Sequence, residues 1–172
     1  MTRLFSCAAL AALLLGAVGG AQAMDLTVGA GQSSESTTVA RIGLQFDWGT
    51  SWWQSDTGRL TGYWDAGYTY WDGESGSTNH SLAFAPVFVY EFAGDAVRPY
   101  LEAGIGVAAF ADTTLEGREL GSSFQFEDRI GAGLRFGQDQ EVGLRAIHYS
   151  NAGLKEPNDG IESISLHYRL GL

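Results

Sequence analysis

A histidine and a serine two residues apart, His148 and Ser150, can together cleave an ester, because a neutral imidazole takes the hydroxyl proton and makes a poor nucleophile effective. They lie in Glu141-Val142-Gly143-Leu144-Arg145-Ala146-Ile147-His148-Tyr149-Ser150-Asn151, which alternates with period two. Successive side chains of a strand point to opposite faces. Val142, Leu144, Ala146, His148 and Ser150 therefore share one face, and Glu141, Gly143, Arg145, Ile147 and Tyr149 the other. The imidazole and hydroxyl stand roughly 6 to 7 Å apart along such a strand, at one end of an otherwise aliphatic stripe. If that stripe faces lipid, a nucleophile and its base face lipid too. A carboxylate that could hold the imidazole in the right tautomer and stabilise its charged form is offered by Glu162, on the apolar face of the next predicted strand.

A plainer account stands beside this one. His148 and Ser150 near a strand end could be interfacial polar residues, and Glu162 a charge close to a loop. Asn151 and Asn158 have the chemistry of oxyanion donors, but asparagine is also a common turn residue. His80 and His167 lack a partner at useful spacing and read as structural. Trp52-Trp53 and the other tryptophans suggest an interfacial belt, and Gly104-Ile105-Gly106 reads as a barrel glycine pattern with no bearing on phosphates. No cluster has metal-ligand spacing, and neither metal nor cofactor is expected.

The elements that must position these residues follow from the same periodicity. Asp25 to Gln32 is a weak strand, and Ile42, Leu44, Phe46 and Trp48 form the apolar face of a strong one. Gly49 to Thr57 breaks the pattern. Leu60, Trp64, Ala66, Tyr68 and Tyr70 share a face before the turn at Asp72-Gly73. Leu82, Phe84, Pro86, Phe88, Tyr90 and Phe92 continue it, with Pro86 an irregularity because it cannot donate to a ladder. Leu101 to Ala109 makes a fifth strand, followed by a long polar loop, Ala111 to Gly121. Phe124 to Phe136 is a sixth, with Asp128 on its apolar side, and a last strand carries Glu162, Ile164, Leu166, Tyr168 and Leu170.

Eight strands long enough to cross a bilayer at about 9 to 11 residues each predict an all-β fold, an eight-stranded antiparallel transmembrane β-barrel. Residues 1–23 read as a signal peptide, with Arg3, the apolar run Ala8 to Val18 and the small-x-small site Ala21-Gln22-Ala23, leaving 24–172 as the barrel. A secreted soluble barrel or sandwich is the competing fold, but it would place large aromatics in water nearly all the way round. Inward-facing Arg41, Asp47, Arg59, Asp65, Glu91, Arg98, Glu102, Glu127, Arg129 and Arg135 can pair inside a filled eight-stranded lumen, which argues against a porin.

Composition narrows the partners. The net charge of -10 becomes -11 without Arg3, which argues against nucleic acid, whose phosphates require a positive surface. The single cysteine, Cys7, lies in the segment to be removed, so neither a disulfide nor thiolate chemistry is expected. With the N-terminus in the periplasm, odd strands run outward, the long loops lie outside, and His148, Ser150 and Glu162 converge at the outer leaflet.

The segments Arg59 to Trp71, Glu102 to Val107, His148 to Gly153 and Pro157 to Ser163 closely resemble the lipid A 3-O-deacylase family of the PagL type from Gram-negative bacteria, over nearly the whole mature chain. The resemblance implies a cell outer-membrane barrel that hydrolyses the 3-O-acyl ester of lipid A, with Ser150, His148 and Glu162 as its serine, histidine and glutamate. Asn151 and Asn158 match the family asparagines associated with oxyanion stabilisation, and Phe126 an aromatic near the site. Expected partners are lipopolysaccharide, through lipid A, and outer-membrane lipid, and the sequence is compatible with a homodimer. The chain departs from common barrels in ending with Leu172 instead of Phe. The alternatives are a phospholipase or acyltransferase in the same leaflet, and a non-catalytic structural or adhesion barrel.

Overall fold

Alternation of apolar with small or charged residues produces eight long strands, each with two antiparallel neighbours. The computed structural model describes residues 24–73 and 78–172, so the predicted signal peptide lies outside the described residues. Its strands are β1 (Met24–Ser33), β2 (Thr38–Asp47), β3 (Trp52–Ser55), β4 (Gly58–Asp72), β5 (Thr78–Phe92), β6 (Val97–Phe110), β7 (Thr114–Leu115), β8 (Arg118–Glu119), β9 (Phe124–Phe136), β10 (Gln140–Ser150) and β11 (Ile161–Gly171). Three are accessory: β3 extends the sheet beside β4, and β7 and β8 form a separate two-stranded hairpin. The rest close in the order β1-β2-β4-β5-β6-β9-β10-β11. β11 returns to β1 from Asp25↔Gly171 to Ser33↔Ser163. Closure removes the unpaired edge that lipid would not tolerate.

The two faces have opposite chemistry. Outside, Ile105 is 68% exposed, Ile130 67%, Leu82 and Ile164 63% and Leu144 59%. So large a bare aliphatic surface suits hydrocarbon and not water, which excludes the soluble alternative. Inside, ion pairs fill the lumen. Asp65 joins Arg41 at 2.6 Å and Arg129 at 2.8 Å, and Arg129 also pairs with Glu127. Arg145 donates to Glu102 at 2.5 Å, and Tyr63 donates to the same carboxylate at 2.7 Å. Nearer the termini Arg135 bridges Glu91 and Glu141 at 2.8 and 2.9 Å. Buried charges must be paired to be tolerated, and every guanidinium named here meets a carboxylate, while Asp65 Oδ1, Arg41 Nε and Arg129 Nη1 keep no hydrogen bond among the described residues.

Several expectations are corrected. Gly49 to Thr57 is not wholly irregular, since Trp52 and Ser55 pair with Leu60 and Gly58. The loop from Ala111 to Gly121 is not simply polar: it folds as β7–β8, and its Leu115 and Leu120 are buried. Not every tryptophan belongs to an outer belt. Trp48, Trp52 and Trp64 cluster with Phe88, but Trp71 is fully buried in the lumen with Phe110 and Tyr149. Trp71 follows an outward Tyr70, so alternation itself turns it inward. Leu115, Leu120, Val39, Ile147 and Ile161 complete this apolar layer beneath the long loops.

Candidate active site

β10 runs between β9 and β11, and its register decides what surrounds His148. His148 lies directly across from Glu162 on β11 and from Asp128 on β9, while Ser150 faces Phe126. Directly opposed residues keep their Cβ atoms about 4.5 to 5.5 Å apart, so histidine and glutamate can meet without distortion. His148 Nδ1 lies 2.8 Å from Glu162 Oε1. The glutamate carboxylate accepts from Nδ1–H, which leaves Nε2 as the basic nitrogen. Both side chains remain accessible, at 42% and 53% exposure, so a membrane lipid can reach them. On the inner face of the same strand, buried Ile147 and Tyr149 anchor the segment in the apolar layer.

Ser150 shares the outward face of His148, one strand period away, and both are partly exposed. Among the described residues its hydroxyl makes no hydrogen bond to the imidazole. Phe126 stands beside Ser150 on the outward face, packed edge-on against Phe124. The two asparagines differ in availability. Asn151 is buried, and its Nδ2 donates to Leu120 O at 2.9 Å and Lys155 O at 2.7 Å. Asn158 accepts the Asn151 backbone N–H through Oδ1 at 2.9 Å, leaving its own NH2 without a hydrogen bond among the described residues.

Three contributors escape periodicity or were left without a role by it. Asp128 was visible as an acid on an apolar face, but only the β9–β10 register puts it beside His148. Gly160, with φ +65°, lies so close to the ring that a Cβ there would sit 3.1 Å from His148 Cε1 and 3.1 Å from Tyr149 O. Ser34 N donates to Glu162 O at 2.9 Å, tying the β1–β2 turn to the start of β11. Towards mid-membrane from His148 and Glu162 an apolar groove of 810 Å³ opens on the outer wall. Small Ala103 and Ala146 form its floor between larger Phe88, Ile105, Ile130 and Ile164.

The other cluster with metal-ligating groups, Glu102, Glu141 and His167, is buried in the lumen. Its groups are engaged by Arg145, Arg135 and Tyr100. His167 is thus structural, and His80 holds Tyr68 Oη through Nδ1 at 2.7 Å.

The geometry has close counterparts. The family model for lipid A 3-O-deacylase (PagL) matches residues 38–171. The chain is 61% identical to the lipid A deacylase PagL of Pseudomonas aeruginosa over 171 residues, 99% of each chain. It is 35% identical to the PagL of Bordetella bronchiseptica over 133 residues, covering 74% of this chain and 62% of that one. The crystal structure of the outer membrane enzyme PagL superposes with a TM-score of 0.84 at 62% identity, covering 86% of this chain and 99% of the other. A designed transmembrane β-barrel, at 15% identity and a TM-score of 0.54, shares the fold alone. The chain is an outer-membrane β-barrel that belongs to the lipid A 3-O-deacylase (PagL) family.

Proposed function

We propose that the protein hydrolyses the 3-O-acyl ester of lipid A by a Ser-His-Glu mechanism on its lipid-facing wall. The observation that carries this reading is the 2.8 Å hydrogen bond between His148 Nδ1 and Glu162 Oε1, on the outward face that Ser150 shares and above an apolar groove able to take an acyl chain.

Ser150 Oγ attacks the ester carbonyl while His148 Nε2 removes its proton, and Glu162 stabilises the imidazolium. The tetrahedral intermediate collapses with cleavage of the bond to the sugar oxygen, which receives the proton from His148. Water then attacks the acyl-Ser150 carbonyl with His148 again as base, releasing fatty acid and restoring the hydroxyl. The oxyanion is held by the unengaged NH2 of Asn158, a donor of the kind that stabilises such charge. Asn151 supports it indirectly, because its side chain fixes the loop and its N–H orients the Asn158 amide. Phe126 flanks Ser150 and shields the reacting carbonyl from water.

Mass spectrometry of lipid A from cells expressing the wild-type chain or Ser150→Ala tests the reading. Lipid A should lose one 3-O-acyl group only with the wild type, and Ser150→Ala should still give a heat-modifiable barrel. Deacylation by Ser150→Ala near the wild-type rate would sink the serine mechanism. Fatty acid release from phospholipid, with lipid A untouched, would replace the deacylase by a phospholipase.

A further inference from the structure

The β7–β8 hairpin contributes none of the site residues, yet it is bound to the loop that does. Arg118 Nε and Nη2 donate to Glu35 Oε1 in the β1–β2 turn at 2.8 and 2.6 Å, and Nη1 donates to Asp159 O at 3.4 Å. Next to it, Glu119 N donates to Asp159 Oδ2 at 2.9 Å, and Asp159 N returns a bond to Glu119 O at 3.2 Å. Leu120 O accepts from Asn151 Nδ2 at 2.9 Å. Gly121, with φ +71°, lets the chain pass so close that a Cβ would overlap Pro157 O and stand 2.9 Å from Lys155 O. The hairpin itself is rooted by Leu115 and Leu120, 1% and 0% exposed, in the apolar layer that also holds Ile147 and Tyr149.

Asp159 lies between Asn158 and Gly160 in the chain. Whatever fixes Asp159 therefore bears on both the Asn158 amide, which accepts from Asn151 N, and the Gly160 backbone that abuts the His148 ring. We propose that Arg118 is a positioning residue: by joining Glu35 and Asp159 through the hairpin, it holds Asn158 and Gly160 in register with His148. The proposal rests on the ester-hydrolase reading above. Arg118 and Glu35 are only partly buried, at 38% and 28% side-chain exposure, and ion pairs this accessible contribute little to global stability. The contribution of Arg118 is local, since its planar fork meets two acceptors on two different loops at once.

The experiment uses the mature barrel refolded in detergent micelles, with lipid A as substrate. Arg118→Glu and Glu35→Arg should each lower kcat roughly tenfold to a hundredfold, the scale of a misplacement of about 1 Å. KM should change by less than about twofold, because no contact to bound substrate is lost. The double variant, Glu35→Arg with Arg118→Glu, should recover only the part of the lost kcat that the pair with position 35 supplies, because a carboxylate at 118 cannot donate to Asp159 O, and Arg118→Lys should fall between Arg118→Glu and the wild type. Denaturant midpoints should stay unchanged throughout. A rise in KM at constant kcat would make Arg118 a contact for a substrate phosphate, and failure of the charge swap to restore kcat would remove Glu35 from the link. Either result overturns the proposal. Amide exchange at Asn151 and Asp159, measured in a Ser150→Ala background, should accelerate with Arg118→Glu. Unchanged exchange refutes the positioning role whether or not Ser150 is the nucleophile.

Discussion

Replacing Leu144 by lysine tests the assignment of faces from which the site is built. Leu144 is 59% exposed on the outer wall, opposite Ala132 and Leu166. It is the fifth of eleven residues in β10, one residue from the strand midpoint. At a rise of about 3.4 Å per residue and a tilt of about 40°, this puts it within about 3 Å of mid-membrane. A lysine there should cost the full mid-bilayer penalty of about 2 to 4 kcal/mol, which is between one and three decades in the folding equilibrium. Leu170, on the same outward face but opposite Gln140 at the other end of β10, lies near the interface, where lysine should cost about 0 to 1 kcal/mol. The assay is reversible denaturant titration of the barrel in phospholipid vesicles, with tryptophan fluorescence as the signal. Equal midpoints for Leu144→Lys and Leu170→Lys would refute the reasoning, since they would mean that depth along this face does not matter. The site could then not be assigned to the lipid side.

The groove predicts an acyl-chain preference: Ala146→Leu places extra carbons on its floor beside Ile130 and Ile164, and should shift hydrolysis towards shorter 3-acyl chains in a competition assay read by mass spectrometry. An unshifted preference would mean that the chain lies elsewhere. Gly160→Ala forces a side chain into a left-handed backbone and against the His148 ring, so it should cost about 1 to 2 kcal/mol of stability and lower kcat well beyond that of a distant loop alanine; wild-type kcat would exclude the contact. Topology can be read with thiols, because Cys7 is the single cysteine in the sequence. Ala152→Cys should react with an impermeant maleimide on intact cells and Ser55→Cys only after outer-membrane disruption, and the reverse pattern would put the site against the inner leaflet.

Strand faces were legible because alternation is local: each residue of β10 lies on the face that its parity assigns. The meeting of His148 with Glu162 was legible at one remove, since consecutive antiparallel strands bring the end of one beside the start of the next. What lay beyond the sequence was non-local pairing. Nothing around Asn151 announces that both of its amide hydrogens are taken by Leu120 and Lys155, which leaves Asn158 as the freer donor. Likewise Leu115 and Leu120 are isolated apolar residues in a polar stretch. Their burial depends on a cavity formed by Val39, Trp71, Phe110 and Ile161, from four other segments. Trp71 shows that parity outranks residue type, because a belt assignment based on tryptophan alone ignored the outward Tyr70 before it.

A lumen filled with ion pairs and a site on the outer wall determine how molecules arrive. On the mechanism proposed above, substrate cannot thread through the barrel and need not come from water; it would drift sideways within its own leaflet until an acyl chain drops into the groove. Collision is therefore two-dimensional, and the concentration that governs turnover is a mole fraction among neighbouring lipids. Diluting substrate with inert lipid should slow the reaction at constant bulk concentration. The released fatty acid likewise begins its life among acyl chains, where its departure is a partitioning step.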